Sequence, residues 1–168
     1  NTFDLALTDK GFFAVEFTNK SGESSVKYTR DGNFTLTQEG NLVTQDGDAV
    51  LDTNGSPVKL DPLKKSEINT SGQIIQDGRV VATLQVTDFE DYNYLKRYGE
   101  NYFEPVDGAE ETDAAAQVYS GYLETSNISV VTEMVNMITV SRAYESNQKV
   151  ITTYDSTLDI AANQLGRI

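Results

Sequence analysis

The 168-residue chain contains no cysteine and no histidine. The first absence removes any disulfide framework and any thiolate chemistry. The second removes the commonest general base and the commonest metal ligand. Basic residues are scarce, 13 against 26 acidic, for a net charge of −13. Phosphate recognition needs a basic patch, so a nucleic-acid partner is not expected. An anionic membrane surface is excluded for the same reason. The acidity reads as solubility. No apolar run is long enough to cross a bilayer, so the chain is not expected to be an integral membrane protein. The first residues do not read as a signal peptide, and none is expected. The chain opens Asn1-Thr2-Phe3, without a methionine and already in a foldable pattern, which predicts an N-terminally shortened form of a longer protein. Neither a cofactor nor a small-molecule substrate is expected.

Proline and glycine are both missing from residues 126–165, and this stretch organises the chain. Its apolar positions include Val130, Met134, Met137, Val140, Tyr144, Ile151, Tyr154, Leu158, Ala161 and Leu165, with Asn147 in the same row. From Met137 the steps alternate three and four without a slip, the 3.5-residue period of a coiled-coil seam. Ser129 or Asn127 is suited to cap the start, and Gly166 lies just past the end. The predicted helix, residues 129–165, is roughly 55 Å long at ~1.5 Å per residue. That exceeds what one face of a small domain needs, so a partner helix from outside this chain is expected. Asn147 reads as a register device within the seam. Tyr144 and Tyr154 suit an interface that buries a ring and keeps its hydroxyl bonded. Arg142 and Glu145 are placed for an ion pair between subunits, set against an ordinary solvated face.

Upstream, residues 1–125 read as a β body. Residues 12–17 are rich in aromatic and β-branched types after a turn at Asp9-Lys10-Gly11, and a second strand is predicted at 26–29. Gly32, Gly40, Gly47 and Gly55 recur every seven or eight residues beside Asn and Asp, which predicts tight hairpins with positive φ at glycine and asparagine. Pro57 and Pro62 bound another short strand. Residues 79–89 look like the best strand, with Val80, Ala82, Leu84 and Val86 alternating to one face. Residues 92–103 suggest a short helix or turn with tyrosines over the sheet. Residues 107–117 read as an exposed acidic loop, and 118–124 as a last strand. The fold class is mainly β: a small antiparallel body of hairpins with a long C-terminal α-helix over 126–168.

The chemical candidates are weak. Asp46, Asp48, Asp52 and Asn54 cluster like a calcium loop, but the glycine that an EF-hand places five residues after the first acid is Leu51, so hairpin turns are favoured. Glu100, Glu104, Asp107, Glu110 and Glu111 supply carboxylates for a glycosidase pair, yet a solvated acidic loop accounts for them. Asn-x-Ser/Thr sequons at Asn19, Asn33, Asn54, Asn69 and Asn127 read as chance in so polar a chain.

Three blocks resemble one family. Residues 5–15 (LALTDKGFFAV), 28–58 (YTRDGNFTLTQEGNLVTQDGDAVLDTNGSPV) and 121–151 (GYLETSNISVVTEMVNMITVSRAYESNQKVI) are similar to the axial rod and hook proteins of the bacterial flagellum. The residues that carry the likeness are Gly11, Phe12 and Phe13; Tyr28, Thr29, Arg30, Asp31 and Gly32; and Glu124, Ser126, Asn127, Glu133, Met134, Met137, Ile138, Arg142, Ala143, Tyr144, Glu145 and Asn147. Only about sixty residues separate the second and third blocks, so the resemblance is to rod proteins of distal or proximal type rather than to hook proteins with their large insertions. It implies a non-enzymatic structural subunit that associates with itself and with other rod and hook subunits. It also implies passage through the flagellar export apparatus to the basal body, outside the cytoplasmic membrane. In the family an N-terminal helix, absent from these residues, pairs with the C-terminal one inside the tube. The competing readings are an exported β-rich binding module with a dimerising helical stalk and, more remotely, a carboxylate hydrolase acting on cell wall.

Overall fold

The computed structural model describes residues 1–19, 21–124 and 129–164. The chain divides into two compact units, Asn1–Glu124 and Thr125–Ile168. The first unit carries fourteen strands. They are β1 (Leu5–Leu7), β2 (Phe12–Thr18), β3 (Ser24–Thr29), β4 (Thr35–Leu36), β5 (Leu42–Val43), β6 (Ala49–Val50) and β7 (Ser66–Ile68), followed by β8 (Gln73–Gln76), β9 (Arg79–Thr83), β10 (Val86–Phe89), β11 (Leu95–Tyr98), β12 (Tyr102–Pro105), β13 (Glu111–Asp113) and β14 (Val118–Ser120). The second unit carries α1, Val130–Gln164.

Every strand pairing is antiparallel. The main sheet runs β11-β12-β3-β2-β6-β5-β4, with β10 bridging β2 to β13. β7, β8 and β9 form a second sheet, and β1 pairs with β14 in a third. β2 lies at the centre because both of its faces are apolar. Successive strand residues point to opposite faces, so Phe13 and Val15 enter one core with Leu5, Phe34, Leu42 and Ile74, while Phe12 and Ala14 enter another with Tyr28, Leu51 and Phe89. Phe12 meets Phe89 edge-on at 6.1 Å, and Phe13 meets Phe34 at 5.2 Å.

Five of the turns are built from one repeated device. At Asn19, Thr37, Thr44, Asp52 and Asn69 the backbone N–H donates to the carbonyl four residues on, and a glycine N–H three residues on donates back to the first carbonyl. In each case the side-chain oxygen of the first residue accepts from the N–H of the fourth residue after it. The closing glycines, Gly22, Gly40, Gly47, Gly55 and Gly72, all have positive φ between 72° and 93°. The asparagines near these turns do not share it, since Asp77 is the only non-glycine with positive φ among the described residues. Gly32 is not of this type either. Its α-carbon backs onto β1, where an added Cβ would lie 2.0 Å from the Leu5 carbonyl oxygen.

The structure corrects four expectations. Residues 79–89 are not one strand. A bulge where Ile75 pairs with Val80 and Ile74 with Ala82 leaves Val81 unpaired, and the chain passes from the three-stranded sheet to the main sheet around Leu84. Val80 is therefore exposed while Leu84 is buried. Residues 92–103 form a 3₁₀ turn, Tyr92–Tyr94, and then the β11–β12 hairpin, which joins the sheet through β3. The acidic loop contains β13, paired with β10. The segment between Pro57 and Pro62 makes only single bridges, Leu51 to Pro57 and Asn41 to Lys59. Proline cannot donate to a ladder, which keeps this segment from becoming a full strand.

Two predictions follow from the turns. In urea unfolding, Gly32→Ala should cost about 3 kcal/mol or more because it collides with backbone, whereas Gly47→Ala, with open space around it, should cost about 1–2 kcal/mol from its φ of +93° alone. The Asp52 carboxyl is held below its ordinary value of 3.8, first by the Ser56 amide it accepts from. A depressed carboxylate stabilises the fold above the unfolded value and loses that contribution as pH falls through the folded one. Asp52→Asn should therefore flatten the stability loss that the parent shows below about pH 4.

Candidate assembly surfaces

Signature residues of the first two sequence blocks, with Glu124 from the third, meet at one end of the β body. β1 and β14 pair Leu5 with Ser120, Ala6 with Tyr119 and Leu7 with Val118. The Ser120 hydroxyl donates to the Thr2 carbonyl at 2.6 Å, and Gly121 N–H to the Asp4 carbonyl at 2.8 Å. Arg30 closes this junction. Its Nη1 donates to the carbonyls of Asp9 and Gly11, at 2.9 and 3.2 Å. Its Nε and Nη2 both reach Glu124 Oε2, at 3.0 and 2.9 Å. A guanidinium is the one side chain whose planar fork serves all four bonds at once. Arg30 thus ties the turn before β2 to the last described residue of the first unit.

The neighbours of Arg30 serve the same corner. Thr29 is buried and its Oγ1 accepts from Asp31 N–H, while Asp31 Oδ1 accepts from Asn33 N–H. Gly11 has φ +143°, and a Cβ there would sit 3.0 Å from Ala114. Tyr28 donates its hydroxyl to Glu111 at 2.6 Å. Burial first, and then that bond, push the Tyr28 phenol well above its ordinary value, so it stays a donor across the accessible pH range.

The helix offers a surface of a different kind. Ser129 caps it, with Oγ accepting from Thr132 N–H at 3.4 Å and the Ser129 carbonyl accepting from Glu133 N–H. Glu133 in the first turn complements the dipole. Met134, Met137, Val140, Tyr144, Asn147, Ile151, Tyr154, Leu158 and Ala161 are all exposed, Met137 by 72% and Tyr154 by 68%. Arg142 and Glu145 are exposed too. Ser126, Asn127, Leu165 and Gly166 lie outside the described residues. Intrinsic propensity is poor in the helix's middle. Thr152 and Thr153 bond back to the Lys149 carbonyl, and Ser156 and Thr157 to that of Thr153. Such β-branched residues and back-bonded hydroxyls favour a helix only weakly.

Sequence reasoning missed two features. Arg30 and Glu124 are 94 residues apart, and no local pattern links them. A second apolar row, Val131, Val135 and Ile138, was legible by its spacing of four and three. It widens the exposed apolar arc of the first turns to roughly 220° at ~100° per residue. Of the acids weighed for catalysis, Glu104 takes the ammonium of buried Lys27 and Glu111 takes the Tyr28 hydroxyl. Of those weighed as a calcium loop, Asp48 takes the Tyr102 hydroxyl at 2.7 Å. Among the described residues no three His, Cys, Asp or Glu side chains are grouped to hold a metal ion. Nor is any described helix long and apolar enough to cross a membrane.

Residues 6–82 match the family model described as the flagellar hook protein FlgE/F/G D1 domain. Residues 119–165 match that described as the flagellar basal body rod FlgEFG protein C-terminal. The chain belongs to the flagellar rod and hook protein family. It is 35% identical to the flagellar basal-body rod protein FlgF of Caulobacter vibrioides, over 99% of this chain and 66% of the relative. It is 33% identical to the flagellar basal-body rod protein FlgG of Buchnera aphidicola, over 92% and 62%, and 32% identical to that of Bacillus subtilis, over 96% and 65%. The chain thus spans just under two thirds of the length of these relatives. The first family match runs from β1 into β9, and the second starts in β14 and covers the helix. The Arg30–Glu124 pair bridges the two matched regions.

Arg30→Met should lower stability by about 1–3 kcal/mol, since it leaves the Asp9 and Gly11 carbonyls without their charged donor. Glu124→Gln, at an exposed end of the pair, should change it by less than about 1 kcal/mol. Chemical unfolding of the two variants checks the contrast.

Proposed function

We propose that this chain is the rod-type part of a structural, non-enzymatic subunit of the bacterial flagellar basal body, which polymerises into a helical tube and transmits torque to hook and filament. Residues 1–125 form an outer β domain and residues 126–168 an axial helix. The partners are further copies and other rod and hook subunits, reached by way of the flagellar export apparatus, outside the cytoplasmic membrane. The relatives' names favour this reading over a binding module on a dimerising stalk.

One observation carries the mechanism: a 35-residue helix keeps a heptad-spaced apolar row in water. Fully burying one such aliphatic or aromatic side chain contributes roughly 1.5–3 kcal/mol, so the row holds a large unrealised term. A seam of period 3.5 on a helix of period 3.6 drifts ~20° per heptad, and helices that keep it together supercoil left-handedly. Head-to-tail contacts that do not close a ring propagate as a helical filament. The tightly closed β body, with Arg30 fixing the point where its chain ends, suits a rigid outer layer.

Ile151→Asp tests this in the full-length protein. An aspartate between packed helices would be buried without a partner, so polymer formation and motility should be lost while the β body's thermal unfolding stays unchanged. Normal assembly would show that the seam is not an assembly surface. Loss of β unfolding would place Ile151 in the body's own core.

A further inference from the structure

The β body carries an apolar knob and a groove at opposite ends of β8. The knob is the loop at Asp61-Pro62-Leu63-Lys64-Lys65. Leu63 is 95% exposed, more than any other large apolar side chain described. The loop is nevertheless held firmly. The buried Gln76 side chain donates to the Asp61 carbonyl at 2.9 Å and accepts from Asp61 N–H at 3.1 Å. Asp61 Oδ1 accepts from Leu63 N–H, and the Asp61 carbonyl from Lys64 N–H. An apolar tip fixed before binding gives up little entropy on docking.

The groove has a volume of about 530 Å³ and a mixed lining: the apolar side chains of Leu84, Val86, Ala114 and Val118, several threonines, and the carboxylates of Glu111 and Asp113. No basic side chain lines it. Gly72, at the start of β8, marks this end, since a Cβ there would touch Val118 and Leu84. The volume is ample for a leucine and the stems of its neighbours. Lys64 and Lys65 now pair with Asp77 and Glu67 at 2.7 and 2.9 Å. Both pairs are exposed, so they contribute little and exchange readily for other carboxylates. Glu111 Oε1 holds the Tyr28 hydroxyl, which leaves Oε2 to receive a cation.

We propose that Leu63 of one copy seats in this groove of a second copy, with Lys64 and Lys65 against its Glu111 and Asp113. The inference rests on the polymer reading above and deepens it by naming one contact between β bodies. Knob and groove are different surfaces of one body, so in the polymer reading each copy docks its knob on the next copy's groove. The contact is heterologous and propagates in one direction, as an open helical array requires.

The absence of cysteine makes the test clean. Leu63→Cys chains are mixed with Ala114→Cys chains, oxidised with oxidised glutathione and run on a non-reducing gel. Thr112→Cys serves as a second groove position, and Ser21→Cys, on a distant turn, measures random collision. The mixed dimer should exceed the Ser21 control about tenfold, because docking raises the local concentration of the two thiols. Lys64→Glu with Lys65→Glu on the knob chain should bring the yield down to the control, and Asp113→Lys on the groove chain should restore it. Yields at the control level for both groove positions would overturn the contact, as would a charge reversal without effect. Sedimentation of the unsubstituted full-length protein reports on the polymer reading separately. Polymers alongside control-level cross-linking reject this contact and leave the rod reading standing, whereas cross-linking without polymers does the reverse.

Discussion

The short ladder between β1 and β14 joins the first strand of the β body to the last, and the organisation of the first unit depends on it. Only three residue pairs make it. Its strength comes from what sits around it. Leu5, Leu7 and Val118 belong to the larger core, Gly32 lets the next turn lie directly on the Leu5 carbonyl, and Arg30 binds both the Gly11 turn and Glu124. A turn with one side chain too many at position 32, or a cation without a planar fork at position 30, would break this closure. Gly11, Arg30, Gly32 and Glu124 are therefore geometrically coupled, although they lie far apart in the chain.

Most of the local structure was legible in the sequence. Asn19, Thr37, Thr44, Asp52 and Asn69 announce their turns because a side-chain oxygen followed three residues later by glycine is a local solution, independent of the rest of the fold. The continuous apolar run Phe12-Phe13-Ala14-Val15 announces a strand buried on both faces. What could not be read was set by distant partners. Nothing near Val81 signals a bulge, since the mismatch arises from the register of β8. Nothing near Glu111 marks it as a strand, since β10 and the Tyr28 hydroxyl supply its reasons. Gly32 looked like one more turn glycine, and its true constraint is the backbone of β1. Of the candidate surfaces, the heptad row was plain from its spacing, while the Arg30 junction, the Leu63 knob and the groove appear only when the sheets are assembled.

The two units obey different physics. The β body buries its apolar residues on two faces of one sheet and satisfies its turns internally. Helix formation is costly to nucleate, and most helical stability in proteins comes from packing an apolar face. The threonine- and serine-rich middle of α1, with its hydroxyls bonded back to Lys149 and Thr153, lowers intrinsic stability further. On the proposed assembly reading, the free energy of its exposed heptad row, widened at the first turns by Val131, Val135 and Ile138, is realised between molecules. An assembly protein benefits from this division, because it can remain soluble as a subunit and gain order on joining a polymer.

Amide hydrogen exchange on the full-length protein, read before and after polymerisation, addresses that division most directly. Exchange from the most stable elements requires global unfolding, whereas marginal elements open on their own. The account predicts strong protection of the β2 amides at Phe13, Ala14 and Val15 in the soluble subunit. It predicts weak protection along α1 from Met134 to Leu158, rising sharply only in the polymer. Helix amides protected as strongly as those of β2 in the soluble subunit, with no change on assembly, would contradict it.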